Sequence, residues 1–197
     1  MQSIESRAIQ AAGALLEVRP LRADEAHLVV DYFHDASDED LARMGVVDRK
    51  NLPPAEAWDT KLRDTIASPL ATASSFYFAW LVDGQLVGFS SLKNLRVDDR
   101  ADLHLHMWSA PHRRQGHGAT LFCLTVLEAF ERFHLQTLVC EPKASNPMPN
   151  RMLAKVGFPL VRTYVGASSE LSKTVPLNQY DIRRDIAETY LGRLQPA

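Results

Sequence analysis

Residues 101–133 constrain the fold most, because the spacing of their apolar groups changes period on either side of a glycine-bearing turn. From 101 to 108 the pattern alternates, with Leu103, Leu105 and Met107 on one face and Asp102, His104, His106 and Trp108 on the other. That is the period of an extended strand. From 118 to 133 the apolar groups Phe122, Val126, Ala129, Phe130 and Phe133 give the stripe of a helix that buries one side. Between them lies Arg113-Arg114-Gln115-Gly116-His117-Gly118. A strand followed directly by an amphipathic helix reads as part of a mixed α/β domain.

The rest of the chain supplies the sheet and its cover. Asp83-Gly84 is a two-residue hairpin signal between apolar runs at 75–82 and 85–92. Further strands are expected at 16–21, 136–140, 159–165 and 178–184. Helices are expected at 23–34, 37–44, 56–66, 149–156 and 186–194. Ser37 is placed to cap the second of these over Asp38, Glu39 and Asp40, and Gly157 to end the fourth. The expected order is β-α-α-α-β-β-β-α-β-α-β-β, a mostly antiparallel sheet in a single domain over 1–197. Residues 1–15 are read as an N-terminal extension and 185–197 as a C-terminal helix or tail.

Composition narrows the partners. Lys plus Arg number 22 against 24 for Asp plus Glu, so no global positive field exists to hold nucleic acid. Two cysteines, Cys123 and Cys140, do not make a disulfide framework and suit reduced thiols. No apolar run approaches the roughly 20 residues of a membrane span, and residues 1–15 do not read as a signal peptide. A cytoplasmic protein with neither membrane nor nucleic acid as partner is expected.

Basic chemistry must therefore be local, and the turn supplies it. Gly116 and Gly118 permit close backbone approach, the first N–H groups of the following helix form an anion site, and Arg113 and Arg114 suit phosphate oxygens. On residue type alone, an ordinary glycine turn with exposed arginines fits equally well. Neither a P-loop nor a dinucleotide fingerprint is present.

At these residues the chain resembles the GNAT superfamily of acyl-CoA-dependent N-acetyltransferases. Arg113-x-x-Gly116-x-Gly118 matches the family's pyrophosphate signature, on the strand-turn-helix where the family carries it. Asn146 and the segment from Asn150 to Phe158, with Lys155-Val156-Gly157-Phe158, resemble its second motif. The similarity is greatest to the branch of ribosomal-protein N-terminal acetyltransferases. It implies about seven strands flanked by helices, splayed between the fourth and fifth, with acetyl-CoA as cosubstrate and no metal. Backbone groups of Met107, Trp108 and Ser109 would hold pantetheine. The N–H groups of Gln115, Gly116, His117, Gly118 and Ala119 would take the pyrophosphate, with Arg113 or Arg114 over it. Asn146 and Asn150 would serve the pantetheine arm, Asn146 also orienting the thioester. The acceptor would be a primary amine, on a small molecule or a peptide N-terminus, and a homodimer is left open.

The resemblance also implies a base on the fourth strand. His104 aligns best, with His106 and Asp102 on its face; a histidine of ordinary pKa, about 6.5, is a competent base near neutral pH. Cross-sheet hydrogen bonding is the structural alternative for both histidines. The family's usual acid, a tyrosine, is replaced by Leu153, leaving Tyr164 or water. Its loss favours an alternative class, a non-catalytic acyl-CoA-binding module. A metal reading of His104-x-His106 with His112 and His117 lacks the companion ligands it needs. Cys140 ends an apolar strand and reads as core. Residues 44–52, with Arg49 and Lys50, lie where the family forms its acceptor pocket, and otherwise read as a solvated loop.

Overall fold

A computed structural model describes residues 6–46, 48–113, 115–167 and 174–194. Among these residues eight strands form one sheet in the order β1-β2-β3-β4-β5-β6-β8-β7. They are β1 (Arg7–Ala11), β2 (Ala14–Pro20), β3 (Phe76–Val82), β4 (Gln85–Arg96), β5 (Arg100–Met107), β6 (Thr137–Cys140), β7 (Leu160–Gly166) and β8 (Val175–Asp181). Every neighbouring pair is antiparallel except β5 with β6. Among the described residues six α-helices cover it: α1 (Ala26–His34), α2 (Asp38–Met44), α3 (Ala55–Ala67), α4 (His117–Phe133), α5 (Pro147–Val156) and α6 (Arg184–Gly192).

The expected mixed, mostly antiparallel fold is present, with one strand more than expected. Residues 7–11 are not an extension: they pair with β2 through a tight turn in which Ala12 and Gly13 both adopt positive φ. The splay therefore falls between the fifth and sixth strands. The caps behave as their chemistry demands. Ser37 Oγ accepts from the Asp40 N–H, and Gly45 and Gly157 end α2 and α5 in the left-handed conformation.

Alternation in β3 explains how the sheet buries both faces. Phe78, Trp80 and Val82 join the larger core with α4, α5 and α6, while Ala79 and Leu81 join a smaller one with α1 and α3. Most of α4 is buried. Its register is fixed by three polar groups inside the larger core. Trp80 Nε1 donates to Thr125 Oγ1 at 2.9 Å and to Ser90 Oγ at 3.2 Å, and the two hydroxyls lie 3.2 Å apart. Buried polar groups satisfied in this way specify one packing arrangement.

Beside β5, the strand β4 requires a glycine. Gly88 faces Met107, and a Cβ there would overlap His106 O and lie 2.9 Å from Met107 Cα. Both are backbone atoms, so neither can swing away. Replacing Gly88 by Ala should force β4 and β5 apart at this point and cost about 1–3 kcal/mol, the usual range for overpacking. Urea unfolding measures it; an unchanged midpoint would show that the two strands separate there without penalty.

Candidate active site

The parallel pair β5–β6 is short. Its register runs only through Arg100–Thr137, Ala101–Leu138 and Asp102–Val139. Beyond Val139 the chain passes Cys140 and Glu141 to Pro142, which has no N–H to extend a ladder, and Lys143 bridges instead to Leu177. Meanwhile β5 stays with β4 as far as Met107. The carboxyl ends of two parallel strands thus diverge, the place where open α/β sheets bind ligands.

The divergence frees one edge of β5. The Trp108 N–H donates to Val87 O on β4 at 3.1 Å. Backbone groups alternate direction in an antiparallel ladder, so those of Leu105 and Met107 point to the opposite side, where β6 has left. Ser109 N–H also donates to Val87 O at 3.1 Å, a bulge that ends the strand. Of the three positions expected to hold pantetheine by their backbone, Met107 faces the open side. The amides of Trp108 and Ser109 are spent on β4. Leu105, absent from the sequence expectation, has the right direction, and the strand alternation was the signal that could have found it.

The turn after β5 leads into α4. Gly116 occupies its N-cap with φ of +88°, and no side chain caps the helix, as at α1, α3 and α6 and unlike α2 and α5. The first N–H groups of α4 accordingly lack a helical or side-chain acceptor. A Cβ at Gly116 would meet nothing within 4 Å, so conformation and not space requires glycine there. His117 is 3% exposed with neither ring nitrogen hydrogen-bonded, which leaves its backbone N–H, not its imidazole, to serve the turn. Gln115 Nε2 donates to Pro111 O at 2.6 Å, and Ser109 Oγ shares a 2.7 Å hydrogen bond with His112 Nδ1. Gly118 and Ala119 lie in the first turn of the helix.

Arg113 does not stand over this turn. Its guanidinium donates to Met107 O at 2.9 Å and to Trp108 O at 3.3 Å, tying the turn back to the end of β5. Arg114 lies outside the described residues.

The loops that follow β5 and β6 leave from the same end of the sheet, which brings the α5 N-terminus toward the split. Asn146 caps α5, its Oδ1 accepting from the Met148 N–H at 3.3 Å, while its Nδ2 has no partner among the described residues. Asn150 differs. Its Nδ2 donates to Lys143 O at 2.8 Å and Asn146 O at 2.6 Å, and its Oδ1 accepts from Asn178 at 2.8 Å and Tyr180 at 3.1 Å. An amide has two donors and two acceptor sites, so Asn150 is fully spent in positioning the Asn146 loop.

The face of the sheet toward α1 and α3 carries the histidines in cross-strand rows. Ala79, Phe89 and His106 form one row, Tyr77, Ser91 and His104 the next, and Lys93 and Asp102 a third. His106 is boxed by rings: Phe89 stacks on it at 4.8 Å, with the edges of Phe33 at 5.3 Å and Tyr32 at 5.6 Å. Burial pushes its pKa down to about 3, helped by His104 and Lys93. His104 has no such stack; burial, then the Lys93 charge, lowers it to about 4. The expectation of an ordinary histidine pKa is corrected: desolvation by surrounding side chains is the largest cause at both half-buried rings, and it favours the uncharged form at neutral pH.

Other expectations resolve simply. Leu153 is fully buried, so no acid stands there. Tyr164 has its pKa raised by burial and by the Glu141 carboxylate it bonds, and stays protonated. Cys140 is buried and its thiol is pushed up to about 12, a packing group and no nucleophile. Arg49 donates to His34 O, Ala36 O and Asp38, clamping the loop beside a cleft of about 510 Å³ lined by α2, Val46, Asp48, Arg49 and Lys50. Among the described residues no group of three His, Cys, Asp or Glu could hold a metal ion, and no helix is long and apolar enough to cross a membrane.

Comparison with known proteins follows the same geometry. Mycobacterium smegmatis RimJ, solved with CoA-disulfide, superposes with a TM-score of 0.76 at 15% identity over 97% of this chain and 95% of that one. The ribosomal-protein-S5-alanine acetyltransferase of Vibrio fischeri gives 0.71 at 15% identity, covering 98% of this chain and 100% of its own. A single-residue mutant of the spermidine N-acetyltransferase SpeG of Vibrio cholerae gives 0.67 at 14% identity, covering 91% and 98%. These likenesses establish a shared fold. No curated protein matches the sequence. The family described as acetyltransferase (GNAT) domain matches residues 16–159, through both glycine motifs and the β5–β6 split, and the chain is a member of the GNAT acetyltransferase family.

Proposed function

We propose that this protein transfers the acetyl group of acetyl-CoA to a primary amine by direct attack within a ternary complex. The observation that carries the reading is the free edge of β5 running into the uncapped N-terminus of α4. Pantetheine would pair with backbone groups of Leu105 and Met107, and the pyrophosphate would lie on the N–H groups of residues 115–119, where the helix dipole adds to them. Asn146, whose Nδ2 is unused among the described residues, would hold the arm from the β6 side. Arg113, released from Met107 O and Trp108 O, is in reach of the same groove.

The acceptor nitrogen attacks the thioester carbon, the C–S bond breaks, and one proton must leave the nitrogen. His104, uncharged and outside the ring box, is the base we assign; His106 is a packing group. A base of pKa about 4 cannot strip an ammonium of pKa about 10.4, but it can accept the proton of an amine made acidic by attack. Much of the rate then comes from holding amine and thioester together. The thiolate takes its proton from Tyr164 or water. Leu153 favours one other reading, an acyl-CoA-binding module without turnover; sustained CoA release with a panel of amines separates the two.

Gly116→Glu tests the cosubstrate site. Its side chain would enter open space over the turn, with a charge like that of the phosphates, and acetyl-CoA affinity should fall at least about 10-fold, the factor set by 1.4 kcal/mol. Calorimetry on the folded variant checks this, and unaltered binding would remove the site. His104→Ala should lower kcat/KM about 100-fold, and once the rates are divided by the fraction of acceptor that is neutral, the parent's acidic limb should lie near pH 4, not 6.5, because burial favours the neutral ring. A limb at 6.5 that disappears with His104 would show the ring to be hydrated. Equal rates in parent and variant would take the base assignment from His104.

A further inference from the structure

The acceptor face holds a cation that the chemistry above does not use. Lys93 projects from β4 on the same face as His104, one row away, and directly across from Asp102 on β5. The obvious ion pair does not form. Asp102 Oδ2 accepts from Asn94 Nδ2 at 2.6 Å, and Oδ1 from the Arg100 guanidinium at 3.3 Å. Asn94 reaches it from a left-handed backbone, φ +49°, at the point where the β4–β5 register shifts. An asparagine held in that conformation commits Asp102 to partners other than Lys93.

Lys93 turns instead toward β3. Its Nζ lies over the Tyr77 ring, 4.5 Å from the centroid, and donates to the Tyr77 hydroxyl. That uses one of three ammonium donors. No described carboxylate forms an ion pair with it, although the side chain is half-buried. A partly desolvated cation is costly unless paired, and the row beside it is Tyr77, Ser91 and His104. A cleft of about 430 Å³ opens next to Asp102, lined by Ser74, Asn94, Leu95, Arg96, Arg100 and Asp102; its two guanidinium groups are already paired, Arg96 with Asp99 and Arg100 with Asp102, which leaves Lys93 as the cation of this face without a described carboxylate partner.

We infer that Lys93, fixed by Tyr77, is the subsite for a carboxylate on the acceptor, so that the amines acetylated here carry an acidic group near the nitrogen. The inference rests on the acetyl-transfer reading and names its substrate class. The carboxylate would take the two unused N–H donors of Lys93 while the amine lies toward His104. Two sources present this chemistry: a free amino acid, and a peptide whose first residues include Asp or Glu.

The test uses matched acceptors. CoA release is measured with an amino acid against its amide, and with C-terminally amidated peptides bearing Glu against Gln at the first or second residue. The parent should favour the acidic member of at least one pair by about 10- to 100-fold in kcat/KM, the range for a charged hydrogen bond. Which pair responds tells the two sources apart. In Lys93→Met the ratio should fall toward one, mainly through KM, and in Lys93→Arg it should persist. A parent ratio near one in every pair, or a ratio that Lys93→Met leaves intact, overturns the subsite while transfer itself stands. If acetyl-CoA binds but no primary amine of any kind releases CoA, the transfer reading fails and the subsite fails with it.

Discussion

Burial of α4 across the middle of the sheet is the interaction on which the rest of the structure depends. Most of the helix is out of water, and the hydroxyl of Thr125 is tied to Trp80 and Ser90 on two different strands. Apolar burial supplies the energy, on the order of 25 cal/mol per Å². The polar triad favours one register, since sliding the helix by one residue would break the Thr125 bonds to Trp80 and Ser90, leaving only the Trp80–Ser90 and Thr125–Leu121 bonds. The consequence appears at the far end. With the helix axis fixed, its N-terminus is held at the carboxyl end of β5, and Gly116 is the residue that turns the chain into it.

A second constraint acts on the other side of β5. Because β6 is only four residues long and Pro142 follows soon after, the sheet cannot stay closed along β5. One hydrogen-bonding edge is thereby left beside a helix N-terminus that no side chain caps. These two unsatisfied sets of backbone groups would each be a liability in an ordinary domain. Side by side, they form a continuous track of donors and acceptors that suits a long, phosphate-bearing, amide-containing cosubstrate. The rows of side chains from His106 through His104 to Lys93 form the face on which the proposed reading puts the acceptor, with His106 packed against Tyr32 and Phe33 of α1.

The parts of this arrangement legible in the sequence are those written in local chemistry. Gly116 was readable because a left-handed N-cap needs glycine, Ser37 because a hydroxyl caps a helix, and Asp83-Gly84 because both residues take positive φ in the hairpin turn. The strand β1 was missed because Ala8 and Ala11 have weak strand preference; its pairing comes from β2, not from its own residues. The titration of the histidines could not be read, since the rings packed on His106 come from α1 and β4 and the charge that adds to burial at His104 is Lys93 on β4, all more than ten residues away in the chain. Asn150 belongs to the family motif, yet its amide is consumed by Lys143, Asn146, Asn178 and Tyr180, contacts that no spacing rule reveals. Lys93 and Tyr77 stand on different strands, and only the register joins them.

The central claim is that the free edge of β5 and the first turn of α4 together receive the cosubstrate. Amide hydrogen exchange, followed residue by residue with and without CoA, addresses it directly. Leu105 and Met107 on β5 and residues 115–119 at the start of α4 should exchange readily alone and become protected together at one CoA concentration. The amides of Trp108 and Ser109, already bonded to Val87, should change little by comparison. Protection of the α4 turn with no change at Leu105 and Met107 would contradict the account, for it would mean an anion bound at a helix end and no ligand paired along the open strand.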